Sequence, residues 1–301
     1  MNIHRFSVDV SCSLPNDNEE SGSFYKDNCF LAFPDSYSDD GEATRLVISC
    51  HGAGGTVTTD DAQVEGQIMT AYLLANGYAV MDTNGLPEAY ALEKGIDLRN
   101  NIGSPIAIRC YLEAYSYCME HFNLKREVFV HGGSMGGISS TNLVLSGLIP
   151  VIAHTCLCPV LDTYNQIFLH PWSGGLPKTA LGKIYALDVD ENGEYIYDED
   201  KILGFNPVEN PKSSFYPVPV KFWHCKDDGT VSYSVTEKFI ERIQRNGGIA
   251  CLRSFEYGAH EPQLVGDPVE APSGTVSYNG TTLKITPAIE EVFAWIRKYD
   301  R

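Results

Sequence analysis

The heptapeptide His131-Gly132-Gly133-Ser134-Met135-Gly136-Gly137 directly follows the β-branched and aromatic run Val128-Phe129-Val130. It contains G-x-S-x-G, a sharp strand-to-helix turn that exposes a serine. The serine of such a turn sits on strained backbone. Side chains at Gly132 and Gly136 would collide with the neighbouring strand and helix. Three such residues alone are a short signal, so the context decides. A strand-forming run precedes the turn, and residues 138–145, compatible with helix, follow it. The chain is thereby committed to a strand–turn–helix unit with Ser134, a candidate nucleophile, at its corner.

Around this unit, strand-like and helix-like segments alternate, which predicts an α/β fold with a mostly parallel central sheet covered by helices on both faces. Strands are expected at 28–33, 45–50, 79–81, 128–130, 151–157, 220–224 and 249–255. A helix is expected over 61–75, ending at Gly77, with residues 82–103 as a loop. Ser104 followed by Pro105 is a strong helix start, and that helix should run to about His121. Ser234-Val235-Thr236-Glu237 reads as a capping box for a helix ending at Gly247. Thr286-Pro287 opens the last helix, with Ile289, Val292, Phe293 and Ile296 at core spacing. The alternation pauses over 159–219, a stretch rich in Pro, Gly and aromatics that reads as a lid-like insertion over the active site. With no internal repeat or linker, 301 residues read as one domain, 1–301.

The formal net charge is -17, from 39 acidic and 22 basic residues. A field of that sign repels phosphate backbones and anionic lipid, which argues against nucleic-acid and membrane partners. No apolar stretch approaches transmembrane length, and no basic-then-apolar leader opens the chain, so a cytoplasmic location is expected. The nine cysteines form no paired framework. Cys110, Cys118, Cys156 and Cys158 read as small buried hydrophobes in a reduced protein. Acidic clusters at 17–20, 39–40 and 198–200 read as solvated loops.

A serine hydroxyl needs a base within hydrogen-bonding reach and an acid that orients the base. In strand-alternating hydrolases these come from later loops, in the order Ser, Asp or Glu, His. After the strand at 220–224 comes Cys225-Lys226-Asp227-Asp228-Gly229-Thr230-Val231; after that at 249–255 comes Glu256-Tyr257-Gly258-Ala259-His260-Glu261. His260 is the candidate base. Asp228 is preferred as the acid because Val231 follows by three residues, leaving Asp227 as a turn residue. Charge developing on a carbonyl oxygen needs backbone N–H donors already in place. Met135, at a helix N-terminus, should supply one, and Ala53 of His51-Gly52-Ala53-Gly54-Gly55 the other.

These pieces together resemble the α/β-hydrolase fold, and within it the prolyl-oligopeptidase-like and dienelactone-hydrolase-like branch. The resemblance rests on His51-Gly52-Ala53-Gly54-Gly55, Gly132-Gly133-Ser134-Met135-Gly136, His224 through Val231 (similar to H-G-x-x-D-x-x-V), Gly204-Phe205-Asn206-Pro207 and Tyr257-Gly258-Ala259-His260. It implies a cofactor-free Ser134–His260–Asp228 triad. There are two departures. Cys225 replaces the usual glycine, and about two dozen residues, 261–286, separate His260 from the last helix. That extra segment carries the hairpin signal Ser277-Tyr278-Asn279-Gly280-Thr281-Thr282. Prolyl oligopeptidases carry a large propeller for which these 301 residues leave no room. The resemblance therefore points to a small carboxylic esterase, with a carbohydrate-linked acetyl or feruloyl ester as the expected small-molecule substrate. The alternatives are a peptidase of the same mechanism and a non-catalytic scaffold used for binding.

Two further signals lie in the insertion. Asp188 to Gly193, followed by Glu199, satisfies the calcium-loop pattern D-x-[DN]-x-[DN]-G-x5-E, but there is no second copy and no convincing exiting helix. An acidic turn between short strands is the expected structure, with no metal. Tyr164, Phe168, Trp172, Tyr185, Tyr195 and Tyr197 crowd the same stretch. Tyr164 and Trp172, with Gly54, are the candidate substrate contacts; glue between insertion and scaffold is the competing role of such aromatics.

Overall fold

The computed structural model describes residues 2–13, 23–267, 276–278 and 281–301. An eight-stranded sheet organises them. Its strands are β1 (Asn2–Ser11), β2 (Phe24–Phe33), β3 (Leu46–Cys50), β4 (Ala79–Thr83), β5 (Val128–Gly133), β6 (Val151–Leu157), β7 (Val220–Cys225) and β8 (Ala250–Phe255), in the spatial order β1-β2-β4-β3-β5-β6-β7-β8. β1 and β2 pair antiparallel, as do β2 and β4; every later pair is parallel. β5, which leads into the serine turn, lies inside the sheet, and its flanking strands bury it on both sides.

The helices are α1 (Ile68–Ala75), α2 (Glu88–Lys94), α3 (Pro105–His121), α4 (Gly136–Ser146), α5 (Leu176–Ile184), α6 (Glu199–Ile202), α7 (Tyr233–Arg245) and α8 (Pro287–Tyr299). Two apolar layers result. Side chains of α1 and α8 pack on one face, against Val47, Phe129, Ala153 and Trp223. Those of α2 to α5 and α7 pack on the other, against Ile48, Val130, Cys156 and Phe222. The alternation along each strand follows from the two-residue side-chain period of a strand.

Several boundaries depart from the sequence reading. β1 escaped it because the strand lies at the sheet edge, where polar His4, Arg5, Ser7 and Asp9 dilute its pattern. The helix expected over 61–75 is a 3₁₀ turn at Gln63–Gly66, then α1, with extended backbone at Gln67 between them. The loop after β4 contains α2, which ends on Gly95 at φ 60°. The capping box at Ser234 does not form. α7 starts earlier, at Tyr233, and Glu237 accepts from the Tyr233 hydroxyl (3.1 Å) instead of reaching back to the helix start. By contrast, Ser104 caps α3 through the Ala107 N–H (3.2 Å) and Thr286 caps α8, as read. β9 (Val276–Tyr278) and β10 (Thr281–Leu283) form the expected extra hairpin; its turn residues, and the acidic cluster at 17–20, lie outside the described residues.

The insertion extends from the carboxyl end of β6 to the start of β7. Its Tyr164, Phe168 and Tyr197 rings contact one another, with centroids 4.7 to 6.1 Å apart. The calcium-pattern segment is a tight reversal. Val189 bridges Tyr195 antiparallel, and one Asp190 carboxylate oxygen accepts from the Asn192 (2.8 Å) and Glu194 (2.9 Å) N–H groups. That carboxylate caps its own turn.

His154, fully buried on β6, joins the Tyr216 hydroxyl (2.8 Å) to the Ser140 hydroxyl of α4 (3.0 Å). Burial, with His131 nearby, pushes its pKa down to about 3. A histidine whose folded-state pKa lies below its unfolded value, about 6.5, stabilises fully above that value and loses its contribution as pH falls toward the folded one. His154→Gln should therefore flatten the fall in urea midpoint between pH 6.5 and 4, which denaturation at stepped pH would measure.

Candidate active site

Ser134 has φ 52°, the left-handed region that a β-carbon disfavours. The surrounding backbone enforces it. The Ser134 N–H donates to Leu157 O (3.0 Å), while its carbonyl accepts from Gly137 N–H (2.8 Å) and Val160 N–H (2.9 Å). A β-carbon on Gly136 would stand 2.0 Å from Cys50 O, and one on Gly132 would stand 2.4 Å from Ser140 Oγ and 2.5 Å from Gly136 O. The two glycines are thus required by close backbone approach, as the motif implied.

Ser134 Oγ lies 2.8 Å from His260 Nε2, and His260 Nδ1 lies 2.8 Å from Asp228 Oδ2. With the carboxylate accepting at Nδ1–H, Nε2 is free to accept from the serine hydroxyl. Asp228 has no solvent-exposed side-chain surface. Its Oδ2 also meets His224 Nε2 (3.0 Å), and its Oδ1 accepts from the N–H groups of Thr230 (2.8 Å) and Val231 (2.9 Å). Burial alone would raise this carboxyl. The hydrogen bonds from His224, His260 and the two amides outweigh it and hold the group well below the usual carboxylate range. Asp228 is therefore an anion at neutral pH and a fixed acceptor for His260.

His224 is held in turn: Nδ1 meets the Thr236 hydroxyl of α7 (2.9 Å). Asp227 does more than shape its turn. Its carboxylate accepts from Ala259 N–H (2.9 Å) and Gly258 N–H (3.3 Å), pinning the loop that carries His260. Gly258 itself has φ 141°, and a β-carbon there would sit 2.7 Å from the sulfur of Cys225, the residue that replaces the usual glycine. Adjacent carboxylates thus take separate roles, one holding the ring of His260 and the other its backbone.

The glycine-rich loop after β3 is a turn closed by Gly55 N–H to Gly52 O (3.2 Å), with Gly54 at φ 83° in its third position. Gly54 serves the turn, since a type II turn needs a positive φ there. Among the described residues, neither Ala53 N–H nor Met135 N–H is engaged by another protein group. Beneath the loop, His51 Nδ1 lies 2.9 Å from Asp82 Oδ2, whose other oxygen accepts from the Tyr111 hydroxyl (2.8 Å).

A cavity of about 400 Å³ opens at Ser134 and His260, with Gly52 and Ala53 among its lining residues. Among the described residues, neither Tyr164 nor Trp172 lines it, and nor does Gly54. The Tyr164 ring instead stacks on Phe168 and meets Tyr197 at a tilt, and Trp172 packs against the core, which is the glue role of such aromatics. Cys158, also at φ 39°, places Sγ 3.9 Å from His260 Nε2. With Asp228 and His260 it is the one group among the described residues offering three clustered metal-ligating atoms. Burial pushes that thiol well above its ordinary pKa, and the other two side chains are already paired with each other. The donor set does not suit a cation.

No family model and no curated protein matches this chain. Solved structures do. It is similar to acylaminoacyl peptidase from Pyrococcus horikoshii (14% identity, TM-score 0.61, 88% of this chain and 39% of that one). A puromycin-hydrolyzing peptidase from Mycobacterium tuberculosis is also similar (16% identity, TM-score 0.59, 84% and 36%), as is a structure from a study of two prolyl endopeptidases (16% identity, TM-score 0.58, 87% and 36%). The chain spans less than two fifths of the length of these proteins. The fold is the α/β-hydrolase fold, which the chain shares with these proteins. Among the described residues, no helix is long and apolar enough to cross a membrane.

The serine turn makes a direct prediction about folding. Gly136→Ala should destabilise the protein by about 3 kcal/mol or more, because the β-carbon meets backbone that cannot move away. Gly204→Ala, where a β-carbon meets nothing within 4 Å, should change stability by less than about 1 kcal/mol. Chemical denaturation of both variants measures the difference.

Proposed function

We propose that this chain is a serine hydrolase that cleaves amide bonds of short peptides or acylated amino acids through Ser134, His260 and Asp228. The observation that carries the reading is the unbroken hydrogen-bond chain from Ser134 Oγ through His260 to a buried, ionised Asp228. In this mechanism Ser134 Oγ attacks the carbonyl carbon as its proton passes to His260 Nε2. The N–H groups of Met135 and Ala53 take the developing oxyanion. His260 then returns the proton to the departing nitrogen, the C–N bond breaks, and an acyl-enzyme remains on Ser134. Water repeats the sequence and releases the acid. Asp228 keeps Nδ1–H toward itself throughout, so the imidazolium forms in place without reorientation.

Amide substrates are preferred over the carbohydrate esters expected from sequence for two reasons. The solved structures that share the fold are peptidases by name. The aromatic residues that suggested a sugar or feruloyl site pack within the insertion and on the core instead of lining the cavity.

A kinetic panel of N-acyl amino acid and dipeptide 4-nitroanilides beside acetylated and feruloylated sugars tests the reading. Turnover of the anilides is expected, with Ser134→Ala lowering kcat by about 10⁴-fold or more. Turnover confined to the sugar esters would favour the esterase, and none at all the non-catalytic scaffold. Asp227→Ala should lower kcat by about tenfold with KM little changed, since it loosens the His260 loop without touching substrate.

A further inference from the structure

On the α1 and α8 face of the sheet, Val47, Phe129 and Ala153 form an apolar row across β3, β5 and β6. Two residues further along each strand, on the same face, stand Ser49, His131 and Thr155. The register places them side by side, Ser49 opposite His131 and His131 opposite Thr155. All three are buried, at 4%, 4% and 1% exposure. A polar row at this depth in a buried sheet face is costly unless its groups are paired.

It is only partly paired. His131 Nδ1 meets the Thr155 hydroxyl at 2.9 Å. Among the described residues no protein group hydrogen-bonds His131 Nε2 or Ser49 Oγ, and both residues line the cavity that opens at Ser134. The remaining walls are of two kinds. Met69 and Ile289, themselves buried, are apolar; Gln63 and Gln67 offer neutral amides. Glu261, which is exposed, is the one acidic residue among the described residues that line the cavity. Burial pushes His131 down to about 4, so its ring is neutral at physiological pH.

We propose that this cavity is the acyl-binding pocket, and that it selects an acyl group with an apolar body and an uncharged hydrogen-bonding tip, a phenol or a primary amide, that reaches Ser49 and His131. The inference rests on Ser134 carrying the acyl group. The assignment to the acyl side follows from the lining: Ser49 and His131 share the cavity with Ser134, and the acyl portion is the part of a substrate that stays bonded to that serine. Depth agrees with the choice. His131 lies three residues before Ser134, about 10 Å of strand at roughly 3.3 Å per residue, a reach suited to a short aryl-alkyl chain. The selection is steep because a site built around unpaired polar groups penalises a ligand that leaves them unpaired.

The probes are 4-nitrophenyl 3-(4-hydroxyphenyl)propanoate and 4-nitrophenyl 3-phenylpropanoate, which differ only at the tip. The kcat/KM ratio of the two should be about tenfold or more in favour of the phenol in the unmodified protein. It should fall to within about threefold of unity in Ser49→Ala and in His131→Leu. A ratio near unity in the unmodified protein overturns the proposal, as does a preference that survives both substitutions. If His131→Leu fails to fold, the unmodified protein and Ser49→Ala still decide the matter. Hydrolysis of both esters that persists in Ser134→Ala would instead overturn the serine-hydrolase reading. A ratio near unity with Ser134-dependent hydrolysis would overturn only the pocket.

Discussion

Where α4 begins, Gly136 presses against the backbone at the end of β3, so closely that a β-carbon would stand 2.0 Å from the Cys50 carbonyl and 2.6 Å from that of His51. This contact between two main chains sets much of the site. It brings the end of β3, from which the loop carrying Ala53 departs, against the turn carrying Met135. It also holds Ser134 in a conformation that an L-residue adopts at a cost, recovered through hydrogen bonds to β6 and to the chain beyond it.

Asp228 plays the corresponding part on the other side of Ser134. Its carboxylate gathers four donors from β7, its own loop and the His260 turn, and so carries the rigidity of the sheet to the imidazole. His224 Nε2 meets Asp228 Oδ2, which gives the histidine at the start of the motif its part, and Val231 at its end donates its N–H to Asp228 while its side chain is buried. Substituting cysteine for glycine at 225 is tolerated because Gly258, facing it, has no side chain.

Much of this was legible in the sequence. The glycines of the serine turn, the order Ser134, Asp228, His260, and the caps at Ser104 and Thr286 are local signals with local causes, and they were read directly. What was not legible depends on register or on long-range contact. β1 is an edge strand on which exposed Ser7 and Asp9 and half-buried His4 and Arg5 interrupt the apolar pattern. The partnership of Asp227 with the Gly258 and Ala259 amides joins loops about 30 residues apart. The row Ser49, His131 and Thr155 exists only once three strands are aligned. In the other direction, the aromatics of the insertion suggested a substrate wall, but composition alone does not show whether such rings face a cavity or one another. The resemblance to hydrolases carried the fold correctly, while the choice of ester over amide rested on the absence of room for a propeller and on those aromatics, neither of which reports on the scissile bond.

The central claim is that Ser134 is a nucleophile activated by His260 and Asp228, and covalent labelling tests it most directly. Treatment of the folded protein with a fluorophosphonate, followed by peptide mass spectrometry, should place one phosphonyl group on Ser134 and none after Ser134→Ala or denaturation. Absence of the adduct from the native protein, or labelling undiminished by Ser134→Ala, would contradict the account.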